Sequence, residues 1–571
     1  MRGICTVIEL SRMAVFLRFG FALVALSVVP SWTQAADDLA PVSEKNLMVP
    51  MRDGVKLSVW LYLPHGQGPW PVLLEQRYSN IHAGRKHFAA LARSGYAVAG
   101  ANFRGTATSE GTFVGYHDLT WGERRDGYDL VEWAAKQSWS NGKVGTFGGS
   151  QAGFAQNFLA VTQPPHLVCQ YMTDTGLSLF HDGYRMGGAT RYVQFRAMDS
   201  ACRVPAHNRR LIAEWADLHP TYDDYWRQED SSLHFGKMNV PCFTLASWFD
   251  DPKGDSSIRS FLGRQDHGGA GSRGKQQMLI GPWPHGGSKD NVVGDLKFPA
   301  NASVYGAGPD GRSLLDLQML RWFDHYLKGI DNGIAQEPAV RYYVTGATGE
   351  PKAPGNVWRG TDHFPPPADT RDYFLWPEAR LGDSPPNGEK ISTAYVSDPF
   401  HPAKMPDLVS RDMQKYEQDP GVRTFTSGVL TAPVEWTGRV EVELYVSSTA
   451  LDTDFIVKVC DVYPDGRSMA LLNSVLRARY RDGFEKEILL KPSETVKLNF
   501  DLGWCSQIFN RGHRIRVDVA STGAPYYEPN PQTGEKITAG APVKMATATN
   551  TIYHSRKYPS RIVAPIPRVD K

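Results

Sequence analysis

Apolar and polar positions alternate with period two over Val55–Leu63, VKLSVWLYL, directly after Asp53-Gly54, a dipeptide suited to tight turns. An antiparallel strand pair is therefore expected where the folded chain begins. The pattern then changes to short apolar runs separated by helical periodicity. Val72-Leu73-Leu74 and Tyr96–Ala99 predict strands, and Asp126–Lys136 predicts a helix with Tyr128, Val131 and Ala135 on one face. The rhythm continues through Val144–Phe147, Leu167–Met172, Val240–Leu245 and Gln277–Ile280, and an amphipathic helix over Leu314–Leu327 closes it. Strands alternating with helices imply an α/β fold, a parallel sheet with helices covering it.

Two stretches depart from this rhythm. Between about Thr175 and Lys237 the chain is helical in pattern and rich in aromatics (Tyr184, Tyr192, Phe195, Trp215, Tyr222, Tyr225, Trp226), as expected of an insertion over the sheet. After a proline-marked linker at Pro351, Pro354 and Pro365–Pro367, the pattern becomes short alternating strands. Val440–Val446, Phe455–Asp461, Val496–Leu502 and Arg514–Val519, separated by Gly, Asp and Pro turns, have the cadence of an all-β sandwich.

Composition narrows the function. The 571 residues are 41% hydrophobic and 21% charged, which excludes disorder as the main state. Lys and Arg total 62 against 60 Asp and Glu, a net charge of +2, so no cationic excess exists to hold a nucleic-acid backbone. At the amino terminus Arg12 and Arg18 precede the apolar run Phe19–Val29, then Pro30 and the small-residue exit Thr33-Gln34-Ala35-Ala36. That run is shorter than the ~20 residues a membrane-spanning helix needs and has the form of a secretory signal peptide. A soluble, secreted or periplasmic mature chain follows as an expectation, with no membrane attachment after cleavage. Beyond Cys5, the five cysteines Cys169, Cys202, Cys242, Cys460 and Cys505 are too scattered for a disulfide framework or zinc site, with Cys460–Cys505 the one candidate bridge.

The strongest chemical signal is Val144–Gly153, VGTFGGSQAG: a predicted strand, a glycine-lined turn with Ser150 at its tip, then a helix over Phe154–Thr162. This is the context of a nucleophile elbow, where small neighbours allow the sharp bend and the helix N-terminus stabilises a developing anion. A serine hydroxyl needs a base, and the base an orienting carboxylate, on loops after later strands. The strand ending at Ala246 leads into Trp248-Phe249-Asp250-Asp251, and the strand ending at Ile280 leads into Gly281-Pro282-Trp283-Pro284-His285. Asp250, with Asp251 as its competitor, and His285 thus fall at carboxyl ends of successive strands, where open α/β sheets place their sites. Gly269–Gly274 matches G-x-G-x-x-G, but a strand rather than a helix follows it, so the dinucleotide reading fails. His513 enters a strand of the β region and is expected to be a structural hydrogen-bonding group.

These segments resemble the cocaine-esterase, α-amino-acid ester hydrolase and glutaryl-7-aminocephalosporanic acid acylase group, related to X-prolyl dipeptidyl peptidases. The likeness rests on Arg104-Gly105, Ser109-Glu110-Gly111, the Gly148–Gly153 elbow, Trp248-Phe249-Asp250, Gly281–His285, Trp322–His325, Asp452–Phe455, Pro464–Arg467 and Gly512–Arg514. The resemblance implies an α/β-hydrolase fold with an inserted helical cap and a C-terminal all-β jelly roll. The corresponding divisions are a leader over 1–36, hydrolase segments over 37–176 and 237–352, a cap over 177–236 and the jelly roll over 353–571. It also implies Ser150 as nucleophile, Asp250 as the acid, His285 as base, and an oxyanion site made by the Tyr78 hydroxyl and the main-chain N–H of Gln151.

Where many relatives carry a tyrosine after the nucleophile, this chain has Gln151. Amino-ester hydrolases carry two acidic residues just beyond the catalytic aspartate to hold a substrate ammonium; here the positions are Pro252 and Lys253. Lys253 instead suits an acyl group ending in a carboxylate, and Trp248 and Trp283 are further candidate substrate contacts. The expectation is a serine hydrolase acting on a small-molecule ester or amide, with no cofactor, metal, nucleic-acid or membrane partner and with self-association left open. An X-Pro dipeptidyl peptidase, which would need an anionic clamp from Asp182, Asp223 or Asp224, and a non-catalytic glycan-binding protein are the alternatives.

Overall fold

A computed structural model describes residues 42–191, 198, 218–250, 253–287, 291–304, 306, 312–389, 391–406, 411–536 and 543–568. The expected leader, Cys202, Tyr192, Phe195, Trp215, Asp251 and Pro252 lie outside the described residues, as does the side chain of Lys253.

The chain enters the fold as the hairpin expected from Asp53-Gly54. Strands β1 (Ser43–Pro50) and β2 (Lys56–Leu63) pair antiparallel, and Gly54 takes the positive φ of 85° that the turn requires. There follow β3 (Trp70–Arg77), β4 (Ala97–Asn102), β5 (Ser140–Gly149), β6 (Leu167–Thr173), β7 (Cys242–Ser247), β8 (Gln277–Gly281), β9 (Val340–Val344) and β10 (Val357–Thr361). They form one ten-stranded sheet in the order β1-β2-β4-β3-β5-β6-β7-β8-β9-β10. Pairing is parallel from β4 through β9 and antiparallel at both margins. This is the α/β-hydrolase arrangement.

Helices α1 (Arg85–Arg93), α2 (Asp126–Ala135), α3 (Gln151–Thr162), α4 (Lys253–His267) and α5 (Leu314–Lys328) cover the sheet. Leu130, Val131 and Ala134 of α2 and Leu159 of α3 share a core with Val72, Leu74 and Val144. On a second core Phe88 and Leu91 of α1 and Phe323 and Leu327 of α5 pack with Leu73, Phe147 and Tyr171. Burying each such large apolar side chain contributes about 1.5–3 kcal/mol. Helix α5 is bounded as its sequence dictates: the Ser313 hydroxyl accepts from Asp316 N–H at 3.0 Å, and Gly329 ends the helix at φ 72°.

The insertion after β6 is rich in aromatic side chains, all buried or half-buried among the described residues. It comprises a turn of helix over Leu179–Tyr184, a two-residue hairpin (Arg185–Met186 with Ala189–Thr190), a short helix Asp224–Arg227 and a 3-10 segment Ser231–Lys237. Phe180, Tyr184 and Trp226 pack with Phe154 and Phe158 of α3.

The C-terminal region is all β, an eleven-stranded network that includes Val434–Ser448, Asp454–Val462, Val496–Phe509 and Arg514–Ala520. Each expected strand lies inside one of these. The boundary at 353 needs correction, because β10 pairs with β9 and belongs to the first sheet. Its Trp358 packs against the hydrolase core, so that sheet runs through Thr361. The candidate disulfide is also corrected. Cys460 and Cys505 are free and buried, Cys460 beside Asp518 and Cys505 beside the Trp436 carbonyl. One apolar core joins Trp248, Phe249, Met278 and Ile280 of the hydrolase domain to Trp436, Leu444 and Leu502 of the β domain.

Candidate active site

The elbow is built as its glycines require. Ser150 stands between β5 and α3 at φ 53°, ψ −113°, a conformation that costs a non-glycine residue about 1–3 kcal/mol. Its surroundings hold it there: Ser150 N–H donates to the Thr173 carbonyl at 2.9 Å, and its own carbonyl accepts from Gly153 and Phe154 N–H. The flanking glycines leave no alternative. A Cβ on Gly148 would lie 2.7 Å from Glu75 Oε1, one on Gly149 would lie 2.1 Å from Thr173 Oγ1, and one on Gly153 would lie 2.4 Å from Thr175 Cβ.

The acid and base meet as expected. Asp250, buried on the loop after β7, bonds Nδ1 of His285 on the loop after β8 through Oδ2 at 2.8 Å. The His285 side chain is 41% exposed, so the imidazole has one nitrogen fixed by a carboxylate and faces open space. With Nδ1 occupied, Nε2 is the nitrogen left to exchange a proton. The Asp250 loop is held from two sides: Trp248 N–H donates to the Gly281 carbonyl at the end of β8, and Trp504 N–H of the β domain donates to Asp255 Oδ1 of α4 at 3.0 Å.

Tyr78 follows β3 and is 7% exposed, its ring against Phe103, Phe113 and Tyr116. Burial pushes its hydroxyl up to about 12, so the phenol stays protonated as a hydrogen-bond donor. Gln151 does more than supply a main-chain N–H. Its side-chain Oε1 accepts from Tyr78 N–H at 3.1 Å and Ser79 N–H at 2.9 Å, while Nε2 donates to Ser79 Oγ at 2.8 Å. The residue after the nucleophile therefore ties the tyrosine-bearing loop to the first turn of α3. The only trace of this in the sequence is an amide side chain directly after Ser150.

A further carboxylate was not anticipated. Asp174, fully buried one residue beyond β6, accepts from Ser247 Oγ at 2.7 Å and from Gly286 N–H at 2.9 Å. Ligand atoms of Asp174, Asp250 and His285 all lie within 4.8 Å of one another. Burial and the Asp250 charge push Asp174 up to about 7, against the pull of His285 and of its two hydrogen bonds. The available signal was an acid at the carboxyl end of a central parallel strand.

Two expected substrate contacts are corrected. Trp283 is completely buried, its indole N–H donating to the Ala302 carbonyl at 2.8 Å, so it is a core residue. Trp248 is 9% exposed and its indole N–H donates to the Tyr343 carbonyl at 2.7 Å, anchoring the acid loop from behind. For Lys253 only the backbone is described, as the first residue of α4.

Asp182, Asp223 and Asp224, the cap acids considered for a clamp, are all engaged. Asp182 is buried and accepts from Leu177 and Ser178 N–H and from Arg259 of α4, whose charge helps hold the carboxyl below its usual range despite burial. Asp223 caps Asp224–Arg227 and pairs with His219, and Asp224 pairs with Arg227 at the surface. Asp182, Arg259 and Asp255 line a cavity of about 500 Å³, with Asn473, Tyr480, Phe484 and Leu502 of the β domain across from them.

Comparison with known proteins bears on the family and the fold. Residues 53–210 and 196–287 match the model of the X-Pro dipeptidyl-peptidase (S15) family, and residues 332–563 match the X-Pro dipeptidyl-peptidase C-terminal non-catalytic domain. The cocaine esterase of Rhodococcus sp. (strain MB1 Bresler) is 30% identical over 592 aligned residues, covering 91% of this chain and 98% of that protein. Among solved structures, an aminopeptidase from a marine-sediment Thaumarchaeota archaeon superposes with a TM-score of 0.80 at 23% identity, covering 95% of this chain and 99% of the other. An α-amino acid ester hydrolase gives 0.79, also at 23% identity, covering 96% and 100%.

Proposed function

Since the chain belongs to the serine hydrolase family of cocaine esterase and the S15 X-Pro dipeptidyl-peptidases, we propose that it hydrolyses small carboxylic esters through an acyl-enzyme on Ser150. The observation that carries the reading is the His285–Asp250 pair, set on the strand loops following the Ser150 elbow. His285 Nε2 takes the Ser150 proton as Oγ attacks the substrate carbonyl. The oxyanion is held by the Tyr78 hydroxyl and Gln151 N–H. Asp250 steadies the imidazolium, which returns the proton to the departing alcohol. Water then attacks the acyl-enzyme by the same route in reverse and frees Ser150.

The acyl group is neutral or anionic rather than α-amino. An ammonium needs an unspent carboxylate, yet Asp182 is neutralised by Arg259, and Pro252 and Lys253 stand at the other acidic positions of the amino-ester hydrolases. This argues against the X-Pro dipeptidyl peptidase reading, and the Asp250–His285 bond on loops following the Ser150 elbow argues against a purely glycan-binding one. The Arg12–Ala36 segment supports export, which the mass of the mature amino terminus after secretion would check. The deciding experiment is a panel of aryl esters with α-amino, neutral and carboxylate-terminated acyl groups, beside an X-Pro anilide. Neutral and anionic esters should turn over well ahead of the other two. Preferential cleavage of the α-amino ester or the anilide would overturn the assignment.

A further inference from the structure

Ser150, Asp250, His285, Tyr78 and Gln151 account for the chemistry proposed above, yet the site holds a second buried carboxylate with no part in it. Asp174 sits where the chain leaves β6. Both of its oxygens are committed, and both commitments run to the catalytic loops. Ser247 Oγ, on the last residue of β7, donates to Oδ1 at 2.7 Å, three residues before Asp250. Gly286 N–H, next to His285, donates to Oδ2 at 2.9 Å. Gly286 and Gly287 both adopt positive φ, 79° and 82°, so the His285 loop turns sharply just where Asp174 grips it.

A carboxylate placed only to satisfy a strand end would not need to face two groups of the catalytic centre. Among the described residues, the titratable groups that face Asp174 are Asp250 on the loop after β7 and His285 on the loop after β8. The elbow side meets this strand end with backbone, Ser150 N–H donating to the carbonyl of Thr173. Two carboxylates and one imidazole thus stand close enough for their charges to act on one another.

We propose that Asp174 is a positioning residue of this centre, a second carboxylate that fixes the His285 loop through Gly286 and shares with Asp250 the charge of the imidazolium formed during acyl transfer. The inference rests on the reading of Ser150, Asp250 and His285 as the triad. It also predicts how the acid limb of kcat/KM behaves. A negative Asp174 favours the protonated imidazole, so wild-type enzyme should lose activity at a higher pH than an enzyme without that charge. Burial and the Asp250 charge raise Asp174 to about 7, so its own ionisation also contributes to the wild-type limb.

The test is Asp174→Asn, which keeps the shape and an acceptor for Gly286 N–H but removes the charge. The expected result is a loss of kcat/KM on the order of 10- to 100-fold at neutral pH, with the acid limb displaced to lower pH. Ser247→Ala removes one of the two hydrogen bonds and should move the limb the same way by less; it decides the matter if Asp174→Asn does not fold. An unmoved acid limb overturns the proposal, whether activity is unchanged or falls uniformly with melting temperature, since both outcomes mean a merely structural carboxylate. Fluorophosphonate labelling of each variant separates the two readings. Labelling at Ser150 with an unmoved limb defeats only the role of Asp174, whereas wild-type enzyme that never labels at Ser150 defeats the triad itself.

Discussion

Among the described residues, two buried aspartates are each bonded to a histidine, one in each domain, and their surroundings differ in the way that separates chemistry from structure. In the hydrolase domain Asp250 holds Nδ1 of His285 at 2.8 Å, and the imidazole is 41% exposed. In the β domain Asp461 holds Nδ1 of His513 at 2.7 Å, but Glu350 takes Nε2 at 3.0 Å and the ring is fully buried. Burial opposes a charge on His513, yet the hydrogen bonds and charges of Asp461 and Glu350 outweigh it and raise the pKa. A histidine with both nitrogens spent on carboxylates cannot carry protons to a substrate. One with a single nitrogen spent can. The motif His–Asp means little by itself; the partner of the second nitrogen decides.

The largest way to break this comparison is His285→Gln. It should lower kcat by on the order of 10⁴-fold or more while thermal melting stays close to wild type. His513→Gln should do the reverse. Leaving Asp461 and Glu350 without their cation should cost about 3–5 kcal/mol of stability, with kcat per folded molecule retained. The sign of the pH effect follows from the raised pKa. The contribution of His513 is fully present below its unfolded value, about 6.5, and fades as pH rises through the higher folded value. The melting gap between wild type and His513→Gln should therefore be widest in mild acid and narrow on the alkaline side.

Smaller effects sharpen the catalytic half. Tyr78→Phe removes one oxyanion donor and should lower kcat about 10²- to 10³-fold, with KM little changed. Because burial lifts the Tyr78 hydroxyl to about 12, this donor should remain effective across the alkaline range to near that pH. Gln151→Leu leaves the main-chain N–H in place but frees the Tyr78–Ser79 loop. A loss of roughly 10-fold in kcat is expected, measured beside Tyr78→Phe on the same ester. A Gln151→Leu enzyme with wild-type kcat would show that the loop needs no such tether.

The same contrast explains what was legible in the sequence. The elbow at Ser150 and the placement of Asp250 and His285 on successive strand-end loops were legible because strand ends are visible in hydrophobic runs, and α/β sheets gather strand ends at one edge. The structural reading of His513 followed from its place at the start of a strand. The domain boundary was not legible, since the alternation of Val357–Thr361 resembles a strand of either sheet and only pairing with β9 assigns it. Trp248 and Trp283 looked like substrate platforms because they flank the acid and base. Their indole N–H groups are instead bonded to the carbonyls of Tyr343 and Ala302, contacts across 95 and 19 residues that no local pattern encodes. The side-chain bonds of Gln151 and the placement of Asp174 escaped for a related reason. Each joins loops distant in sequence, through backbone N–H groups and a serine hydroxyl, so neither leaves a spacing to recognise.

The central claim is that Ser150 is the acylated nucleophile. Its most direct test is reaction with a fluorophosphonate followed by mass analysis of the peptide spanning the elbow, with Ser150→Ala as control. One adduct per chain on Ser150, lost together with esterase activity in Ser150→Ala, is the predicted result. An adduct at another residue, or full ester turnover by Ser150→Ala, would contradict it.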